Sequence, residues 1–219
     1  MSMRIVGRSL AAAATVAALL VGACGPAPPR NTGVYLLLDT SGTYTEELDK
    51  AKQIINYTLS RLDALDSFAV ARIDTGSFSE RDILAKVTLD DRPSAANQQK
   101  REFAERVDRS LDEVKASPYT DITGGLLQAV EFLNEKEPGR KTILIFSDLK
   151  EDLEAGYVRD IPVPVAGFDV VALNVTKLRS DNVDPREYIE RLDSWRQRVE
   201  SEGGTWRVVN DLDRLEALL

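Results

Sequence analysis

The chain has 219 residues, a formal charge of −8, a single cysteine and no histidine. The lack of histidine excludes Ser-His-Asp and Cys-His catalysis and every His-containing zinc site, and one cysteine excludes an internal disulfide or a thiolate cluster. The acidic balance argues against non-specific nucleic-acid binding, which depends on Lys and Arg neutralising phosphates; carboxylates, hydroxyls, amines or an oxygen-bound metal are left to carry any chemistry.

Residues 1–23 read as a targeting segment. Arg4 and Arg8 form a basic n-region, and Ser9 to Val21 is apolar and alanine-rich. That run falls short of the roughly 20 residues of a membrane span and fits a secretory signal peptide. Val21-Gly22-Ala23-Cys24 places an aliphatic residue and two small ones before the cysteine. It resembles the bacterial lipobox, which implies diacylglyceryl transfer to Cys24 and cleavage before it. Loss of Arg4 and Arg8 would take the formal charge from −8 to −10. Gly25-Pro26-Ala27-Pro28-Pro29-Arg30-Asn31 is a short, stiff tether, so residues 24–32 are expected to be the lipidated cysteine and its linker, and 33–219 one domain.

Within the domain, apolar runs alternate with helical patterns, which predicts an α/β fold with a mostly parallel sheet. Val34 to Leu38 is the first strand. Leu48, Ala51, Ile55, Leu59 and Leu62 mark one face of a helix over Tyr44 to Leu62. Phe68 to Ile73 and Ile83 to Leu89 are strands joined through Asp74-Thr75-Gly76-Ser77; so short a link predicts an antiparallel pair, since a parallel crossover needs a dozen or more residues. Pro93 opens a long helix carrying Phe103, Val107, Leu111 and Val114, with Pro118 beyond its end. Thr120 to Gly125 reads as a polar turn and Leu126 to Asn134 as a helix. Thr142 to Phe146 is a continuous apolar strand of the kind buried on both faces. Val170 to Val175 is a further strand, Tyr188, Leu192, Trp195 and Val199 mark a helix, Trp206 to Val209 a last strand, and Leu212 to Leu219 a closing helix. Trp195 and Trp206 read as packing residues, and Glu151, Asp152 and Glu154 as a solvated face.

Three segments carry oxygen ligands at the ends of these elements. Asp39-Thr40-Ser41-Gly42-Thr43 follows the first buried strand, Thr120-Asp121-Ile122-Thr123-Gly124-Gly125 leads into a helix, and Ser147-Asp148 ends the apolar strand. Hard cations take such oxygens, and ligand crevices of open α/β sheets lie at the carboxyl ends of the strands. The ordered set resembles the von Willebrand factor A-type (VWA) domain with its metal-ion-dependent adhesion site, over about Gly33 to Leu219. The resemblance implies a doubly wound, three-layer, Rossmann-like sandwich: a mostly parallel six-stranded sheet with one antiparallel edge strand. It also implies Mg²⁺ (or Mn²⁺ or Ca²⁺) held by Ser41, Thr43 and Thr120, with Asp39 and Asp148 acting directly or through water. The remaining coordination position would take water or an Asp or Glu of a protein partner. The family often has Asp-Gly at its third motif; here Leu149 follows Asp148, and Lys150 lies within reach of the same site.

The same residues fit other roles. Thr43-Tyr44-Thr45-Glu46 is a capping box in its own right, and Thr120 or Asp121 is a good N-cap. Asp39-Thr40-Ser41-Gly42-Thr43 also resembles the first motif of haloacid-dehalogenase-type phosphatases, in which the first Asp is the nucleophile; against that, Ser41 stands where those enzymes carry a second Asp. A VWA-shaped scaffold without metal is the third reading. Taken together, the residues predict a non-enzymatic binding module, lipid-anchored in a bacterial cell envelope outside the cytoplasmic membrane. Gly25 after Cys24 is compatible with outer-membrane sorting if the cell is Gram-negative.

Overall fold

In the computed structural model of the chain, the described residues are 29–42, 44, 47–74 and 76–211. The expected signal peptide, Cys24, Thr43 and the expected closing helix 212–219 lie outside them. Six strands form one sheet: β1 (Thr32–Asp39), β2 (Ser67–Ile73), β3 (Ile83–Thr88), β4 (Arg140–Phe146), β5 (Phe168–Leu173) and β6 (Thr205–Val209). Their spatial order is β3-β2-β1-β4-β5-β6. All neighbours are parallel except the edge pair β2–β3, which is antiparallel, as the short link between those strands predicts.

Four helices, α1 (Leu48–Arg61), α2 (Pro93–Asp112), α3 (Ile122–Lys136) and α4 (Pro185–Ser201), cover the sheet. Side chains alternate across a strand, and β1 divides accordingly. Val34, Leu36 and Leu38 pack with Ile54, Ile55 and Leu59 of α1 and Phe103 and Val107 of α2. Tyr35 and Leu37 pack with Leu126 and Leu133 of α3 and Trp195 and Val199 of α4. The central strands are therefore sealed on both faces, which accounts for their unbroken apolar runs. Among the described residues no helix is long and apolar enough to cross a membrane.

Several boundaries depart from the sequence expectation for identifiable reasons. Helix α3 starts at Ile122, so Gly124 and Gly125 lie in its first turn instead of ending a loop. They act as clearance. A Cβ on Gly124 would come within 2.4 Å of the Asp121 carboxylate, and one on Gly125 within 2.9 Å of Leu37 on β1. Helix α1 starts at Leu48 and not Tyr44; Tyr44 is a buried plug that packs edge-on against Phe146 at 5.0 Å and donates its hydroxyl to the Asn174 carbonyl. Strand β5 stops at Leu173 because Asn174 takes a left-handed backbone (φ 51°), a conformation Asn tolerates better than most residues.

A candidate metal site at the carboxyl end of the sheet

Successive strands run outward from β1 in one direction and from β4 in the other, so the β1–β4 boundary is the topological switch point, where crevices form beyond the carboxyl ends of the strands. Both acidic motifs end there. Asp39 closes β1 and Asp148 follows β4 by one residue beyond Ser147. Ser41, Thr120 and Asp148 line one open cleft of about 380 Å³, together with Gly42, Ser117, Pro118, Lys150, Asp152 and Leu178. Backbone pairing holds its walls. Ser117 N donates to the Thr40 carbonyl at 2.8 Å, and Thr120 and Asp152 exchange two bonds of 2.7 and 3.0 Å.

Asp39 lies behind the cleft with no exposed surface. Its Oδ1 accepts from Ser41 N at 2.8 Å and its Oδ2 from Ser147 Oγ at 2.6 Å. Asp148 is also buried; its Oδ1 accepts from Lys150 N at 2.8 Å, and Oδ2 takes no hydrogen bond from a described residue. The Thr120 hydroxyl is likewise without a described hydrogen-bond partner, although the residue is only 4 % exposed. Burial holds Asp39 above the usual carboxylate range in spite of the donors on it. Asp148 is raised by burial first, against the Lys150 backbone donor, with the Asp39 charge adding to the rise and Arg191 and Lys150 opposing it. Two buried carboxylates, Asp39 and Asp148, thus stand beside Ser41 and Thr120, hydroxyl-bearing residues of the cleft wall. Such an all-oxygen set fits a hard divalent cation.

The turn after β4 resolves the departure at Leu149. This residue takes φ 65°, the left-handed region that favours glycine. The cost is of order 1–2 kcal/mol for a side-chain-bearing residue, and burial of the Leu149 side chain offsets it. Helix α4 fixes the turn from outside: Trp195 Nε1 donates to the Leu149 carbonyl at 3.0 Å, and Arg191 Nε to the Asp148 carbonyl at 2.9 Å. Arg191 is itself forked onto buried Asp181 at 2.8 and 3.2 Å.

Asp121 has a different part. It caps α3, its Oδ1 accepting from Gly124 N at 2.8 Å, and also accepts from Ser77 N at 3.1 Å. Arg159, from the long β4–β5 connection, neutralises it through contacts of 2.7 to 3.1 Å. Asp121 is therefore spoken for, and Thr120 beside it is the residue that faces the cleft. Glu151 is not simply solvated as expected: its Oε1 accepts from Thr123 N at 2.7 Å, and it lies 3.8 Å from Arg198. The described residues contain no group of three or more carboxylates or thiols suited to a metal, so the candidate set rests on hydroxyls beside two acids. Arg159 and Arg191 carried no signal in the sequence, and Trp195 read there only as a packing residue, because long-range contacts alone bring them to Asp121 and to the turn after β4.

No protein-family model matches the chain, and no curated protein matches it. Solved structures do. The von Willebrand factor type A protein from Catenulispora acidiphila aligns with a TM-score of 0.50 at 16 % identity, over 85 % of this chain and 40 % of that one. The chain has the von Willebrand factor A-type fold. The open-conformation pilus adhesin SpaC of Lactobacillus rhamnosus GG aligns at 0.52 and 13 % identity, over 88 % of this chain and 29 % of the adhesin. Manganese-loaded TRAP protein of Plasmodium vivax aligns at 0.51 and 13 % identity, over 86 % and 72 % of the two chains. The VWA fold here thus spans well under half the length of the first two proteins it resembles.

Proposed function

We propose that this protein is a lipid-anchored, extracytoplasmic binding module that uses a divalent cation to engage a carboxylate of a protein partner. The observation that carries the reading is the convergence of Ser41, Thr120 and Asp148 on one cleft at the switch point of a VWA fold, with Asp39 buried behind them. Ser41, Thr43, Thr120 and Asp148 would hold Mg²⁺ (or Mn²⁺ or Ca²⁺). Asp39 would hold Ser41 and Ser147 in place and supply charge from behind. When bound, the ion would be under-neutralised by its hydroxyl ligands and would attract an external Asp or Glu; such charge-assisted contacts are short and strong. That one structural neighbour is a pilus adhesin and another is manganese-loaded supports the reading.

Anchoring through Cys24 agrees with the geometry. The chain enters β1 at Thr32, the amino end of a parallel sheet, whereas the cleft lies beyond Asp39. Eight strand residues at about 3.3 Å each separate the two poles by about 26 Å, so the tether would hold the cleft facing away from the bilayer, in a bacterial envelope and in the outer membrane if the cell is Gram-negative. The phosphatase alternative fits poorly, because a nucleophile needs an accessible oxygen and Asp39 has no exposed surface and both oxygens occupied. The test is Mn²⁺ titration followed by electron paramagnetic resonance. Binding is expected to be saturable and to be lost in Thr120→Ala and Ser41→Ala. Unchanged binding in the folded double variant would leave the metal-free scaffold as the answer.

A further inference from the structure

At the opposite pole, beneath the amino ends of the strands, a cleft of about 610 Å³ surrounds the point where the tether leaves the domain. Its exit is built. Asn31 Nδ2 donates to the Leu65 carbonyl at 3.2 Å, the Asn31 carbonyl accepts from Arg140 N at 3.2 Å, and the Pro29 carbonyl packs so closely on Gly139 that any Cβ there would collide with it. Three arginines, Arg30, Arg61 and Arg140, line this cleft. Arg30 and Arg61 form no ion pair with a described residue, and Arg140 lies 3.5 Å from Asp169. Two acids stand in the cleft wall beside the three arginines: Asp63, and buried Asp66, whose carboxylate accepts from Thr32 N and Asp63 N at 2.6 and 2.7 Å. The adjoining Asp90 is held by Arg92 at 2.8 Å.

Leu65 stands at the lip of the cleft. It is 54 % exposed and has φ 69°. A leucine in the left-handed region without burial to offset it is strained and wet at once, a combination that points to a role outside the isolated fold. Pro29 follows Cys24 by five positions, a reach of at most about 18 Å, so a lipid on Cys24 keeps this face within roughly two Debye lengths of the headgroups.

We propose that this pole is a membrane-resting surface: Arg30, Arg61 and Arg140 receive the phosphates of anionic phospholipids in the bilayer that holds the anchor, and Leu65 inserts into the interface beside them. The proposal rests on the lipid-anchor reading. It orients an otherwise acidic domain by turning its local cluster of cations towards the lipid, where juxtamembrane Lys and Arg gain from the anionic surface potential.

The test uses the lipidated protein reconstituted into vesicles. With Cys24 blocked by its lipid, a Leu65→Cys variant offers one free thiol for an environment-sensitive fluorophore. Val183→Cys, on the segment after β5 and 88 % exposed, serves as the distal control. The Leu65 label is expected to shift to shorter wavelength and to be quenched by nitroxide lipids in vesicles containing phosphatidylglycerol. The Val183 label should stay water-like. The shift should be lost in pure phosphatidylcholine and in the Arg30→Ala, Arg61→Ala, Arg140→Ala variant, and reduced by Arg61→Ala alone, while vesicle flotation persists. A water-like Leu65 label on floating protein would overturn the docking and leave the anchor standing; an equal shift in phosphatidylcholine would overturn the headgroup assignment. Failure to float with either vesicle would remove the anchor and the docking with it.

Discussion

Asp148→Asn separates a metal ligand from a structural carboxylate, because the two roles predict opposite signs. The asparagine is isosteric and keeps an oxygen to accept from Lys150 N, while the atom left towards the cleft becomes an amide nitrogen that cannot ligate a cation. Without metal, the substitution removes a charge that burial and Asp39 both oppose. Since the folded-state pKa lies above the ordinary 3.8, ionisation penalises the folded state above that pKa. The penalty disappears as pH falls through the folded pKa towards 3.8. At neutral pH the metal-free variant should therefore be at least as stable as the parent, and the difference should close in acid. With metal, the order reverses. A cation at a hundred times its Kd stabilises the folded state by about 2.7 kcal/mol. For a domain of this size, at about 2–4 °C per kcal/mol, that is a rise of about 5–11 °C in Tm. The parent should show this rise with Mg²⁺ or Mn²⁺, lose it to chelator and lose it in acid as protons displace the ion; the variant should show none. Scanning calorimetry with and without metal reads all of this. A variant less stable than the parent in chelator, or one that still gains the full shift with metal, would refute the reasoning.

Leu149→Gly should relieve about 1–2 kcal/mol of left-handed strain but lose a buried side chain whose truncation costs about 2–5 kcal/mol. A net loss of up to about 4 kcal/mol by urea unfolding is expected, with Mn²⁺ affinity retained because glycine keeps the turn; a stabilised variant would contradict this account of the turn. Arg159→Ala strands the buried Asp121 charge and should cost about 3–5 kcal/mol, as broken buried pairs do, with faster hydrogen exchange in both Ser77 and the first turn of α3; a surface-like cost below about 1 kcal/mol would count against it. Aryl-phosphate hydrolysis with Mg²⁺ should not exceed buffer, and an Asp39-dependent rate abolished by Asp39→Asn would restore the phosphatase reading.

The sequence by itself determined the architecture of this protein, because burial is written locally. Unbroken apolar runs at Val34–Leu38 and Thr142–Phe146 can satisfy themselves only between two helical layers, and the short link through Asp74–Ser77 forces β2 and β3 antiparallel. It also indicated the oxygen-bearing strand ends, since Asp39, Thr120 and Asp148 stand where strands and helices change over. What the sequence could not supply is which of these polar groups is already satisfied. Asp121 looks as good a ligand as Asp148 on paper, yet Arg159, 38 residues away, neutralises it. Leu149 looks like a broken motif until Trp195, 46 residues on, is seen holding its carbonyl in the turn a glycine would make. Gly124 and Gly125 read as a loop until the distances to Asp121 and Leu37 show why only glycine fits a helix packed that closely. Local pattern reports what a segment must bury; charge compensation and backbone strain depend on partners that only the folded chain brings together.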